Sequence, residues 1–530
     1  MHRCLLIDEI FQKILENIYT TRELYSLSLV CRTFLEPVND ELWADLPGLS
    51  PLVKCLPDGL IGPSQRDENC LTIVRPPLLS EWHRFEHHAR RVREITFTHE
   101  ENDDFAVDEE AFVILSANHP GPILPQLRTL TWHNWVLAKF APLFIQPSLI
   151  SLEFYPTVEE EMEVVLKRVQ TSAPQLVSLR LFTADALYGP TNAVFTQTLL
   201  SLNHLLGLNF DHVPLETEAL AHLSRLPCFI TLFLHLLKHD DKLWTSPSWG
   251  GFPALKHLSL MPYQEDGVTI PSTPFLHALS GASLTSLDVK MWPPIRFGEL
   301  SQLLSAIGRL GRLRLLHLEF TNFGADPWAG TVIDGSELAP LYALRSMMTF
   351  TMTNAPITFT PPSIRKLARA WKGIHKLTFI SPSPAHCHIR LEDIAGFSRN
   401  LRTLVALTIQ IHPIPDTWEH VGRLRWPPSL VSDLNLCKSR VARAAEARVA
   451  EYLAGTFPLA RVRHKFSVSF WGQRQTTVED VEAAAVLENV DRLKKEVEEG
   501  ALAMAFAERS QKHEENVAQG SEDLMDVATA

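Results

Sequence analysis

One pattern, L-x-x-L-x-L with apolar residues at its first, fourth and sixth positions, returns thirteen times along this chain and limits its fold more than any other feature. The first positions are Val92, Leu127, Leu149, Leu176, Leu205, Phe229, Leu255, Leu284, Leu313, Met347, Ile374, Leu404 and Val431, and all 39 pattern positions are apolar. Spacings run from 22 to 35 residues and average about 28. A merely leucine-rich composition would not explain the fifth position, which must face away from the core if the segment is a strand. It holds Thr96, Thr131, Glu153, Arg180, Asn209, Phe233, Ser259, Asp288, His317, Thr351, Thr378, Thr408 and Asn435, so twelve of thirteen are polar. Between these segments lie helix-like runs such as VEEEMEVVLKRVQ, FTQTLLSLNHLL, LSQLLSAIGRL and SIRKLARAWKG. Pro125, Pro147, Pro174, Pro227 and Pro253 stand just before repeat anchors, where proline would stop a helix. Each repeat therefore reads as strand, loop and helix. Units of that kind cannot cover their own apolar faces and must stack, with parallel strands inside and helices outside.

The N-terminal stretch has a different texture. In LLIDEIFQKILENI, the residues Leu6, Ile7, Ile10, Phe11, Ile14, Leu15 and Ile18 recur at helical intervals, and burial of that face is expected. Thr20 followed by Glu23 fits a capping box opening a second helix that carries Leu24, Leu27, Val30, Cys31 and Phe34. Pro37 suits the first turn of a third helix, where no amide donor is needed. About forty residues make too small a core to stand alone, so this unit should dock on something and keep apolar surface for a partner.

This stretch resembles an F-box, the module by which substrate receptors attach to the Skp-type adaptor of cullin-RING ubiquitin ligases. Where the family opens Leu-Pro-x-Glu-Ile, this chain has Leu6, Ile7, Asp8, Glu9 and Ile10, without the proline. The second half follows the pattern with Leu24, Leu27, Val30, Cys31, Arg32, the aromatic Phe34 and the closing Leu42-Trp43. The resemblance implies Leu6, Ile7, Ile10, Leu24, Leu27, Val30 and Arg32 as adaptor contacts. A helical cap on the end of a larger domain is the alternative. Residues 90–440 in turn resemble the helix-bearing leucine-rich repeats of F-box receptors. The family's Asn or Cys three residues beyond the sixth position is replaced here by Trp135, Thr157, Ala184, Val213 and Tyr263, so irregular loops are expected. Together the two resemblances imply a substrate-recognition subunit of an SCF-type ligase, binding a protein target on its inner sheet. A repeat scaffold without a ligase role is the competing expectation.

The fold class expected is α/β: residues 1–46 as the helical module, 47–85 as a Pro- and Gly-rich connector, 86–475 as the solenoid with a C-terminal cap, and 476–530 as an acidic helix and disordered tail. The cap is expected from SRVARAAEARVAEYLAG as a helix and RHKFSVSFW as a closing strand, with Phe466, Val468 and Phe470 alternating. Val486, Val490, Leu493, Val497, Ala501 and Met504 mark the acidic helix. The net charge of −12 falls mostly there, because residues 476–530 hold 14 Asp and Glu against 5 Lys and Arg. The near-neutral body gives no sign of a nucleic-acid partner. With no apolar run of spanning length and no leader pattern, no membrane association and a cytoplasmic or nuclear location are expected. Seven scattered cysteines without a C-x-x-C pair read as free thiols.

Catalysis is not expected. The chain has no P-loop, no G-x-S-x-G elbow and no H-E-x-x-H. His83 with His87, and His386-Cys387-His388, are metal-capable groups, but neither reaches the four ligands a tetrahedral site wants, and no cofactor is expected. Recognition falls instead to the outward strand positions, of which Glu153, Arg180, Asn209, Phe233, Asp288 and His317 are the candidates, since Arg and aromatic residues most often anchor interfaces.

Overall fold

The computed structural model describes residues 7–18, 20–98, 106–182, 190–210, 215–236, 251–262, 273–291, 297–320, 332–383, 386–415, 417–418, 429–437, 439, 441–457 and 459–463. Leu6, the alternation at Phe466, Val468 and Phe470, and the acidic segment 476–530 lie outside them. The chain divides into two compact units, Met1–Leu284 and Thr285–Ala530.

The first unit opens with three helices, α1 (Asp8–Leu15), α2 (Thr21–Ser28) and α3 (Arg32–Leu42). Phe11, Leu15, Leu24, Phe34 and Val38 form their core, with the Phe11 and Phe34 rings stacked at 4.3 Å. The apolar face of α1 is only half used: Phe11 and Leu15 are buried, whereas Ile7, Ile10 and Ile14 are exposed. Its burial as a whole, expected from the spacing, does not occur, because a core closed by two short helices has room for one side of the stripe. Thr20 does cap α2, its hydroxyl accepting from the Glu23 amide at 3.2 Å and donating to the Glu23 carboxylate at 2.7 Å. Pro37 lies inside α3, not at its start. There it removes one backbone donor from the helix ladder.

Eight strands of the first unit then follow in parallel: β1 (Asp45–Leu46), β4 (Glu94–Phe97), β5 (Thr129–Trp132), β6 (Ser151–Phe154), β7 (Ser178–Leu181), β8 (Gly207–Phe210), β9 (Thr231–Leu236) and β10 (His257–Pro262). The stretch 47–85, expected as a connector, is built into this unit. It carries α4 (Ser50–Val53) and an antiparallel hairpin of β2 (Ile61–Pro63) and β3 (Leu71–Ile73), and leads into α5 (His83–Ala89), with Leu52, Leu56, Leu60, Ile73 and Trp82 buried. The row of strands also starts one repeat earlier than the pattern, since Leu46 pairs with Ile95. Pro47 and Gly48 occupy the positions where the pattern would continue, which hid that repeat.

Helices return the chain between strands: α6 (Glu109–Asn118), α7 (Glu159–Ser172), α8 (Pro190–Ser201) and α9 (Thr217–Arg225). The shortest repeat, 22 residues from Leu127 to Leu149, uses a 3-10 segment at Trp135–Phe144 instead. A 3-10 helix rises about 2 Å per residue against about 1.5 Å for an α-helix, so it spans the repeat with fewer residues.

In the second unit β11 (Ser286–Met291), β12 (Leu315–Phe320), β14 (Thr349–Thr353), β16 (Lys376–Ile380), β17 (Ala406–Ile409), β18 (Asp433–Asn435) and β19 (Arg461–Arg463) pair in parallel in that order. β13 (Ile333–Asp334) and β15 (Ile357–Thr358) form a small separate parallel pair. Helices Phe297–Ile307, Pro361–Ala370, Leu391–Asn400 and Glu446–Thr456 complete the repeats. The last described strand ends at Arg463, where the expected closing strand was to begin.

All 39 pattern residues are buried, none more than 6% exposed. At the fifth position only Thr378 and Asn435 are buried; the Asn435 side chain turns in to accept from the Cys437 amide at 2.9 Å. Each turn entering a strand repeats one hydrogen-bond arrangement. The Arg128 and Thr129 amides both donate to the Arg93 carbonyl, and those of Ile150 and Ser151 to the Arg128 carbonyl. Each unit is thus a stack of leucine-rich repeats, α/β in class, held by a shared core and a continuous strand ladder. No helix among the described residues is long and apolar enough to cross a membrane.

Candidate functional site

The parallel register carries the fifth positions into two rows. In the first unit Thr96, Thr131, Glu153, Arg180, Asn209, Phe233 and Ser259 lie side by side on successive strands. In the second, Asp288, His317, Thr351, Thr378, Thr408 and Asn435 do the same. The six recognition candidates therefore make four pairs of neighbours: Glu153 beside Arg180, Arg180 beside Asn209, Asn209 beside Phe233, and Asp288 beside His317.

Two of these pairs are bonded. One Glu153 oxygen accepts from the Arg180 guanidinium at 3.1 Å, and the other meets His133 Nε2 at 2.8 Å. Asp288 lies 2.9 Å from His317 Nδ1, and one step along the same strands Lys290 faces Glu319 at 3.8 Å. The opposite charges of Glu153 with Arg180 and of Lys290 with Glu319, directly across neighbouring strands, support the sheet by a few tenths to about 1 kcal/mol each. Arg180 keeps more than half of its side chain in solvent, so it remains open to a partner. The side-chain oxygen Oδ1 of Asn209 is buried without a hydrogen-bond partner among the described residues.

Beside the Glu153 and Arg180 row runs a second one that the sequence reading passed over. His133, Tyr155 and Phe182 each follow the sixth pattern position; His133 meets the Tyr155 ring edge to face at 4.4 Å between centroids, and Tyr155 stacks on Phe182 at 4.6 Å. The two-residue period of a strand is the signal that would have found them, because a residue two beyond the fifth position faces the same side. Half-buried aromatic rings next to a solvent-facing arginine are the side-chain types that dominate protein interfaces.

The second surface lies on the helical module. Ile7, Ile10, Ile14, Tyr25, Leu29, Val30 and Leu35 are exposed, with Val30 at 63% and Leu29 at 68%. Of the candidate adaptor contacts, Ile7, Ile10, Val30 and Arg32 are on this exposed surface and Leu27 is half-buried against the module core. Leu24 is not available: it is 7% exposed and belongs to that core, because it sits on the inward side of α2 against Phe11 and Phe34. The module is seated through the other side of α3. Arg91, whose side chain is 6% exposed, donates to the carboxylates of Glu36, at 2.5 Å, and Asp40, and Trp43 stacks on His88 at 4.0 Å. The Arg91 hydrogen bond holds the Glu36 carboxyl below its usual range. Burial, and then the neighbouring positive groups, push His88 down to about 4.

The metal-capable histidines have other contacts. His87 lies against two guanidinium groups, Nδ1 2.8 Å from Arg90 and Nε2 3.1 Å from Arg91, and its pKa is lowered first by burial. Cys387 donates its thiol to the Gln410 carbonyl at 2.8 Å, and burial raises it to about 11; His386 Nδ1 lies 2.8 Å from the Ser383 hydroxyl. Among the described residues no group of three His, Cys, Asp or Glu side chains is placed to hold a metal ion.

No protein-family model and no curated protein matches the sequence. Among solved structures the chain is similar to the TLR13–ssRNA13 complex, at 14% identity and a TM-score of 0.37 over 71% of this chain and 50% of that one. It is also similar to the Toll–Spatzle complex of Drosophila, at 13% identity and a TM-score of 0.32 over 59% and 43%. The chain thus spans half or less of the length of these two structures.

Proposed function

We propose that this chain is a protein-interaction scaffold, and more specifically a non-catalytic substrate-recognition subunit of an SCF-type cullin-RING ubiquitin ligase. The helical module binds a Skp-type adaptor, and the outward strand rows hold a protein target. Its contribution is to raise the effective concentration of target lysines beside a recruited conjugating enzyme, which needs no bond chemistry from this chain. On this reading it works in the cytoplasm or nucleus.

The observation that carries the reading is the division of labour within the three short helices. Their inner residues close a small core and one side of α3 is tied to Arg91, yet Ile7, Ile10 and Ile14 along one side of α1, and Leu29 and Val30 just past the end of α2, are left in solvent. Exposed apolar residues grouped in this way mark a surface that a partner covers. Ile7, Ile10 and Val30 among them are positions at which the F-box resemblance implies adaptor contacts. The test is co-purification of the intact chain with a Skp-type adaptor: stoichiometric capture supports the reading, and its absence leaves a repeat scaffold with no ligase role.

A further inference from the structure

We infer that the junction between the helical module and the first repeats holds a binding site for a phosphate-type anion. A polar groove of about 400 Å³ opens there, lined chiefly by Arg90, Arg91, Arg93 and Arg128, with Glu36 and Asp40 of α3 on one wall. Its volume lies at the lower end of the range for small-ligand sites, roughly 300 to 1,000 Å³.

Charge is distributed unevenly within it. Arg91 is committed to the two carboxylates, and Arg90 reaches His87 at 2.8 Å. Among the described residues, Arg93 and Arg128 have no side-chain partner, although the ladder fixes them next to each other. The amides of Arg128 and Thr129 both donate to the Arg93 carbonyl, and the next residues, Glu94 and Thr129, are in register on β4 and β5. Strands lie about 4.8 Å apart, so two like charges open adjacent strands with no carboxylate shown between them. An anion placed over them relieves that repulsion.

Four guanidinium groups against two carboxylates leave this groove at +2, on a chain whose net charge is −12. Arg91 closes the floor of the groove: its side chain is 6% exposed and its Nε–H is shut off from solvent, so an anion there is met by the exposed Arg90, Arg93 and Arg128. Guanidinium forks match the spaced oxygens of a phosphate group, and several of them converging on one groove favour a doubly charged oxyanion over chloride. Glu36 and Asp40 of the groove wall belong to α3 and its other lining residues to the chain entering the first repeats, so a bound anion also braces the module against them. This site does not depend on adaptor binding or on the ligase reading.

The test is calorimetric titration of the full chain with sodium phosphate and, separately, sodium pyrophosphate in low-salt buffer, with thermal unfolding followed in parallel. Saturable binding is expected, weakening several-fold as sodium chloride is raised and raising the melting temperature. In Arg93→Gln/Arg128→Gln it should fall at least tenfold while the unliganded melting temperature stays within about 2 °C, both side chains being exposed. Arg180→Gln, on the strand face, should bind as the parent does. Binding of both probes assigns a site for a single phosphate group; binding of pyrophosphate alone assigns one spanned by two. Absence of saturable binding for both, unchanged binding in the double variant, or equal loss in Arg180→Gln would overturn the proposal.

Discussion

Arg91 donates to the carboxylates of Glu36 and Asp40 from a position with 6% of its side chain in solvent, so replacing it removes both packing and charge-assisted bonds. Arg91→Met should cost about 1 to 3 kcal/mol of stability, since the two carboxylates, each at least half exposed, can return to water. Urea unfolding of parent and variant measures it, and a midpoint shift of no more than error would remove Arg91 from its seating role. The same neighbourhood sets a pH dependence with a definite sign. The folded pKa of Glu36 is held below the ordinary carboxyl range, so its contribution is present above pH 4.5 and is lost as the pH falls through that depressed value. His88, lowered from 6.5 to about 4, takes up a proton more readily in the unfolded chain, so stability declines as the pH falls from 6.5 toward 4. His88→Gln should flatten that part of the melting-temperature profile, and an unchanged slope would count against it. Neither residue was legible in the sequence. Arg91 and His88 stand in a run of arginines and histidines where only the fold decides which side chain turns inward.

At the scale of elements, the sequence located three helices in the module but not the break between the second and third, since Phe34 lies on α3 and not on α2, nor which residues face outward. Helical spacing marks a stripe without stating how much of it the core can accept, and here the three short helices take Phe11 and Leu15 and leave Ile7, Ile10 and Ile14 outside. Leu24 went the other way, into the core, for the same reason. This separates the substitutions in their effects. Leu27→Asp should disturb the module itself, because Leu27 packs against its core, whereas Val30→Asp at 63% exposure should leave the circular-dichroism spectrum unchanged. A helical loss in Val30→Asp would mean that this side chain is structural. In the second unit, Gly335 opens the 3-10 segment Gly335–Ala343 with the Phe359 ring directly against its backbone, so a Cβ there collides with the ring. Gly335→Ala should destabilise by about 1 to 3 kcal/mol, as overpacking does, and Phe359→Leu should recover part of the loss in the double variant. Independent, additive effects in urea unfolding would refute that contact. Segments of this kind were not foreseen; each has a proline inside it, Pro142 and Pro340, and an internal proline breaks the pattern of an ordinary α-helix.

At the scale of the whole chain, the repeat was the most legible feature, since the alternation that places Leu, Phe and Trp inward and Thr, Glu and Arg outward is a property of each strand by itself. Its ends were less legible. The first strand ends at Leu46 and is followed by Pro47-Gly48, and the last described one, Arg461–Arg463, contributes Val462 to the core; neither shows three apolar positions to compare. The candidate surfaces were legible by position but not by pairing, because whether Glu153 meets Arg180, or Asp288 meets His317, depends on parallel register across some thirty intervening residues. Adaptor binding remains the property on which the functional account turns. The direct measurement is the dissociation constant of the intact chain for a Skp-type adaptor, compared with that of Ile10→Asp/Val30→Asp, a variant confined to exposed side chains. The account predicts a saturable one-to-one complex for the parent and at least a tenfold weaker one for the folded variant; no complex with the parent, or equal affinity in the variant, would contradict it.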